Sequence, residues 1–150
     1  MNSRDLRSAR ILMVEDNPGD VRLTLEAFRD SKLKNPLDVV KDGIDALAYL
    51  RQEGEHAAKP LPDLILLDLN LPRMDGRELL AAIKNDERLK QIPVVVLTTS
   101  KADQDVLGSY LLQASCFITK PVDFHQFTEV IKAIDNFWLS IVTLPRGTTP

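Results

Sequence analysis

Three short runs in this 150-residue chain, Ile11-Leu12-Met13-Val14, Leu64-Ile65-Leu66-Leu67 and Val94-Val95-Val96-Leu97, are apolar at every position. A strand with one wet face alternates apolar and polar residues, so an unbroken run belongs to a strand covered on both faces. Parallel sheets sandwiched between helices provide that environment. A weaker run at Leu37–Val40, interrupted by Asp38, reads as an edge strand, and a fifth begins at Cys116. The runs start near Arg10, Leu37, Asp63, Pro93 and Cys116, at intervals of 27, 26, 30 and 23 residues. Each interval is close to the length of one strand–helix unit.

The segments between the runs carry helical spacing. Val21, Leu25 and Phe28 define one apolar face; Ile44, Leu47 and Leu50 a second; Leu79, Leu80 and Ile83 a third. Val106, Leu107, Tyr110, Leu111 and Ala114 give a fourth. The last helix opens at Asp123 with Gln126 three residues on, a capping-box pattern, and runs on through Phe137 and Trp138. Five strands alternating with five helices predict a doubly wound α/β domain with a five-stranded parallel sheet. The expected limits are a flexible 1–9, a domain over 10–142 and a tail over 143–150, with no second, output domain. Glu53–Pro62 is read as a long polar loop, and both histidines, His56 and His125, as surface residues.

Composition narrows the function classes. A 150-residue domain buries roughly 68–70% of its unfolded surface and needs no disulfide or structural metal to fold. The lone Cys116 excludes an intramolecular disulfide and fits a reducing compartment. Nineteen basic against 22 acidic residues give a net charge of −3, a poor start for gripping nucleic acid. No apolar run approaches the ~20 residues that span a bilayer, and the N-terminus carries no signal-peptide core. The expectation is a cytoplasmic protein without nucleic-acid or membrane partners.

The ends of the strands are chemically unusual. Ligands of open parallel sheets bind beyond the strand carboxyl ends, where the winding direction reverses. Here the first run leads into Glu15-Asp16, the third into Asp68, the fourth into Thr98 and the fifth into Lys120. In a strand order 2-1-3-4-5, Asp16 and Asp68 face each other across the reversal. Two carboxylates 4–5 Å apart repel by roughly 3–4 kcal/mol at an effective dielectric of 20, which a divalent cation relieves. An oxygen-only set suits Mg²⁺ better than zinc.

Four segments together resemble the signatures of two-component receiver domains: Val14-Glu15-Asp16-Asn17, Leu67-Asp68-Leu69-Asn70-Leu71-Pro72-Arg73-Met74-Asp75-Gly76, Leu97-Thr98-Thr99-Ser100 and Thr119-Lys120-Pro121. The likeness covers Arg10 to Trp138. Asn17-Pro18-Gly19-Asp20, the long loop before the third run, and Phe137-Trp138-Leu139 with Val142-Thr143-Leu144-Pro145 are similar to the stand-alone response regulators that partner cyanobacterial phytochromes. The resemblance implies the flavodoxin-like receiver fold, and it implies roles. Asp68 is the phosphoacceptor, taking a phosphoryl group from a sensor histidine kinase of the red-light phytochrome type. Asp16, Asp68 and the backbone carbonyl of Asn70 ligate Mg²⁺, with Glu15 acting through water. Lys120 pairs with the phosphoryl group, Thr98 and Phe117 act as the switch, and Pro121 is a cis-proline. A protein of this kind signals through a phosphorylation-dependent surface and is not an enzyme beyond its own phosphorylation and slow dephosphorylation.

Other positions extend this picture. Thr99 is bulkier than the Ala or Gly common in the family, and Ser100 and Asn70 flank the path of an attacking water. Gly76 serves a turn. Phe137, Trp138, Leu139, Ile141, Val142 and Leu144 crowd eight positions with large apolar side chains. One helix of a small domain cannot bury all of these, so a homodimer through Phe137, Trp138 and Ile141 with the neighbouring strand is expected. A phosphohydrolase of the haloacid-dehalogenase type places a second Asp where this chain has Asn70. A P-loop protein needs a Gly-Lys-Ser/Thr segment that is absent from the sequence.

Overall fold

In a computed structural model, which describes residues 10–30, 36–69, 71–98, 116–119 and 129, the apolar runs pair side by side as parallel strands. They are β1 (Ile11–Val14), β2 (Leu37–Val40), β3 (Leu64–Asp68), β4 (Val94–Thr98) and β5 (Cys116–Thr119), in the order β2-β1-β3-β4-β5. Register follows the run starts: Ile11 lies opposite both Leu37 and Leu64, and Asp68 opposite Leu97. The edge strand β2 has three half-buried positions, whereas β1 and β3 are buried throughout. Thus the interrupted run does take an edge.

Three helices are described: α1 (Pro18–Asp30), α2 (Gly43–Leu50) and α3 (Gly76–Lys84). The fourth predicted helix and all of the last but residue 129, which is helical, lie outside the described residues. Each described helix begins where a short polar side chain can receive its orphan amides. Asn17 Oδ1 accepts from Asp20 N at 3.0 Å, and Pro18 takes the first helical position, where its missing N–H is harmless. Asp42 Oδ1 accepts from Asp45 N at 2.7 Å. Asp75 and Glu78 form a reciprocal capping box on α3.

The sheet divides the core by strand parity. Leu12, Val14, Ile65, Leu67, Val94 and Val96 pack with α2 and α3, including Ala46, Leu50, Leu79 and Ile83. Ile11, Met13, Leu64, Leu66, Val95 and Leu97 form the opposite face, which Phe28 of α1 covers. Both faces are apolar because both carry helices. No helix among the described residues is long and apolar enough to cross a membrane.

Two helical faces differ from the spacing-based expectation. In α2 the buried positions are Gly43, Ala46, Tyr49 and Leu50, while Ile44 is 49% exposed. A Cβ on Gly43 would sit 2.4 Å from the carbonyl oxygen of Met74, so this contact fixes the rotation of the helix. In α1, Leu25 is exposed and Thr24 is buried. The Thr24 hydroxyl donates to the Asp20 carbonyl at 3.0 Å, which lets a polar residue face inward. The α3 face, Leu79, Leu80 and Ile83, is buried as expected.

The Glu53–Pro62 loop also departs from expectation. It contains a 3-10 turn at Gly54–His56, and His56 is 6% exposed rather than on the surface. Its ring lies 5.1 Å from that of Tyr49, and Nε2 is 2.9 Å from Asp45 Oδ1. Gln52 Nε2 donates to the Lys59 carbonyl at 2.8 Å, and the Lys59 ammonium rests 5.3 Å from the Tyr49 ring centre. These contacts fold the loop over α2.

Tyr49 is the polar group most deeply committed to this side of the core. Its hydroxyl donates to Asp38 Oδ2 at 2.5 Å, tying α2 to the edge strand. Burial, reinforced by the Asp38 carboxylate, raises its pKa far above the ordinary tyrosine range. An unfolded tyrosine ionises near pH 10. The stability that this pKa difference contributes is therefore fully present below about pH 10 and lost as pH rises further. Tyr49→Phe is expected to cost about 1 kcal/mol at neutral pH and to flatten the alkaline decline. Urea midpoints at pH 9 and pH 11 for the two proteins check this; parallel declines would contradict it.

Candidate functional site

The backbone places the acidic residues before any side chain is considered. Val14 and Leu67 are register partners in β1 and β3, so the residues that follow, Glu15 and Asp68, emerge side by side at the carboxyl edge. This is where the winding direction reverses. Glu15 N donates to the Val40 carbonyl at 3.0 Å, extending the pairing with β2 by one residue. Asn17 N donates to Glu15 Oε2 at 3.3 Å, so the turn into α1 holds the Glu15 carboxylate from behind.

Glu15 and Asp68 are buried, at 1% and 4% exposure, and Asp16 is exposed. One carboxylate oxygen from each of the three lies within 4.8 Å of the others. Carboxylates so close repel one another, and nearby cations or hydrogen-bond donors offset the cost. The donor set is all oxygen, with two members covered and one facing water. Such a set fits a hard divalent cation that keeps part of its hydration shell. Beside the trio, a cleft of about 320 Å³ is lined by Glu15, Asp16, Pro18, Val21, Val39 and Lys41.

A tight crossing holds Asp68 from below. Leu69 N donates to the Leu97 carbonyl at 3.3 Å, carrying the β3–β4 ladder past the end of the strand. Gly76 N donates to the Leu69 carbonyl at 3.0 Å. A Cβ on Gly76 would come 2.4 Å from the carbonyl oxygen of Asp68 and 2.6 Å from Leu69 Cα. Gly76 thus does more than make a turn, because its hydrogen atoms admit the backbone of the candidate phosphoacceptor.

The remaining sequence-predicted residues divide into two groups. Thr98 ends β4 opposite Thr119, and Phe117 pairs with Val96, so their backbones lie on the same sheet. Asn70, Lys120, Pro121, Phe137, Trp138 and Ile141, with Thr99 and Ser100, lie outside the described residues. Sequence reasoning missed the contribution of Lys41, which a basic residue directly after an edge strand could have signalled. It also missed the Asp75–Glu78 capping box, legible as an Asp-x-x-Glu ahead of an apolar run.

Residues 11–132 match the response regulator receiver domain family. The chain is 48% identical over 137 residues to response regulator Rcp1 of Synechocystis, covering 91% of this chain and 93% of that protein. Its structure is similar to that of the phosphorylated cyanobacterial phytochrome response regulator RcpA, with 52% identity and a TM-score of 0.75 over 93% of this chain and 99% of that one. The Mn²⁺-bound form of Rcp1 is likewise similar, with 47% identity and a TM-score of 0.73 over 91% and 99% of the two chains. The carboxylates at the winding reversal therefore sit in a chain that belongs to the response regulator receiver domain family and is related to the phytochrome response regulators.

Proposed function

We propose that this protein accepts a phosphoryl group from a sensor histidine kinase onto Asp68 and relays the signal through a changed protein surface. The observation that carries this reading is the convergence of Glu15, Asp16 and Asp68 within 4.8 Å, with Asp68 buried at the end of a central strand. One Asp68 oxygen attacks the phosphorus of a phosphohistidine, the phosphorus–nitrogen bond breaks, and the imidazole leaves. Such a transfer asks little of the nucleophile beyond position and neutralised charge. The strand end and the Gly76 crossing supply the position.

The oxygen-only set fits Mg²⁺: Asp16, Asp68 and the Asn70 carbonyl would hold it directly and Glu15 through water. A divalent cation bound there would supply positive charge to offset that of the phosphoryl oxygens. Lys120 pairs with the phosphoryl group once it is on Asp68, and Pro121 as a cis-proline aims that lysine. Thr98 offers a hydroxyl to a phosphoryl oxygen, and its shift is coupled to Phe117 in β5. Phosphorylation can move this equilibrium only by contacting the two states differently.

The similarity to the cyanobacterial phytochrome response regulator RcpA supports a phytochrome-type kinase as the donor. The apolar Phe137, Trp138 and Ile141 support a homodimer through the last helix and β5. Trp138→Ala is expected to lower the sedimentation coefficient towards that of a monomer, and an unchanged value argues against this interface. The main test is the intact mass after incubation with acetyl phosphate and Mg²⁺. One added phosphoryl group, removed by hydroxylamine and blocked by excess chelator, is the expected result. No adduct in protein shown to bind Mg²⁺, with the phosphate lifetime shown not to limit detection, would overturn the reading.

A further inference from the structure

Between Asp68 and α3 the chain makes a second tight turn, apart from the Gly76 crossing. Leu71 and Met74 pack against the core, while Pro72 and Arg73 between them are exposed. Met74 N donates to the Pro72 carbonyl at 2.8 Å, an i to i+2 bond, and Arg73 at its centre has φ of +68°. A bond of that span around a positive φ makes a γ-turn of the rare, strained class. Arginine lacks the freedom of glycine there, so the surroundings must hold the turn in place.

Those surroundings are the start of α2. Arg73 Nε lies 3.5 Å from Asp42 Oδ2, and the other oxygen of the same carboxylate caps α2 through Asp45 N. The Asp42 side chain is largely covered, at 16% exposure. One residue on, the carbonyl and side chain of Met74 lie so close to Gly43 that no Cβ would fit there. Two consecutive residues of the turn therefore rest on two consecutive residues of the β2–α2 junction. An exposed ion pair contributes little by itself. This one acts on a strained turn, and the chain just before that turn leads back through Leu71 and Asn70 to Asp68.

We propose that Arg73 is a positioning residue for cation binding: paired with Asp42, it fixes the turn so that the segment from Asp68 to Leu71 is set before a divalent ion arrives. The proposal rests on the reading of the acidic trio as a Mg²⁺ site. Without the pair, relaxation of the turn shifts Leu71 and the backbone that precedes it. Ion binding then has to order that backbone as well, and affinity falls.

The test is a calorimetric Mg²⁺ titration of the full chain, with melting temperatures recorded in the absence of the ion. Arg73→Gly adopts the positive φ freely and removes the side chain, and Asp42→Asn keeps the helix cap while removing the charge. Each is expected to weaken Mg²⁺ binding about threefold, and the double variant no more than either alone. Charge acting through space gives a different pattern, because losing a cation tightens binding and losing an anion weakens it. Arg73→Lys, which keeps a cation beside Asp42, is expected to retain most of the affinity. The ion-free melting temperature of Arg73→Gly is expected to stay close to that of the unsubstituted protein, since relief of strain offsets the lost pair. Tighter binding by Arg73→Gly overturns the proposal. So does a Kd that both single variants leave unchanged, whatever happens to the ion-free melting temperature. Failure of the unsubstituted protein to bind Mg²⁺ overturns the cation-site reading itself, and this proposal with it.

Discussion

Asp68→Asn is expected to take up no phosphoryl group under conditions in which the unsubstituted protein is expected to gain one. The substitution keeps the shape of the side chain at the end of β3 and removes its anionic oxygen. An amide oxygen cannot displace a phosphoryl leaving group at a useful rate, so the loss is complete rather than partial. A second consequence separates chemistry from folding. With three carboxylates within 4.8 Å, the unsubstituted protein gains stability from saturating Mg²⁺, about 2.7 kcal/mol at a hundredfold excess over Kd. Asp68→Asn leaves a poorer site, and its melting temperature rises much less. A phosphoryl adduct of equal yield in Asp68→Asn would remove Asp68 from the mechanism.

Gly76→Ala is the largest expected change in stability. Its added Cβ meets the Asp68 carbonyl oxygen at 2.4 Å and Leu69 Cα at 2.6 Å. Both are backbone atoms, which cannot rotate away as the end of a side chain can. The backbone at the end of β3 and the first turn of α3 must separate, at a cost of about 3 kcal/mol. For a chain of this size that lowers the melting temperature by about 10 °C. Because the displaced atoms belong to Asp68 itself, phosphorylation slows even where the variant is folded. Gly54→Ala is a useful contrast. Gly54 has φ of +58° with nothing within 4 Å of the added methyl, so only about 1 kcal/mol of backbone strain follows. A Gly76→Ala melt within a degree or two of the unsubstituted protein, with normal labelling, would show that the crossing is looser than described.

The two predictions rest on features of unequal visibility in the sequence. The runs at Ile11, Leu64 and Val94 revealed their strands because burial on both faces leaves an unbroken apolar signature. The acidic trio was readable for a related reason: strand ends in a parallel sheet share one edge, so residues just beyond the runs must gather there. Rotation of the helices was not readable in the same way. Ile44, Leu47 and Leu50 make a plausible stripe, yet the contact of Gly43 with Met74 turns α2 so that Ala46 and Tyr49 face inward. That contact joins residues far apart in sequence, and local spacing carries no trace of it. His56 escaped for the same reason, since its polar neighbours mark a loop while its burial depends on Tyr49 and Asp45, packed from another element. The role of Gly76 was half visible: a glycine before a helix signals a turn, but only the fold shows whose backbone it admits.

The strands that carry the trio are also the ones enclosed most completely. β1 and β3 are buried along their whole lengths and paired on both sides, whereas β2 sits at an edge, half exposed, with Tyr49 tethered to its Asp38. Amides open locally where few contacts hold them, and last where strands are paired and covered. Transient fraying can therefore begin at β2 and the loop that wraps α2 while Glu15, Asp16 and Asp68 keep their spacing. The protein can breathe at its margin and stay poised for chemistry at its centre.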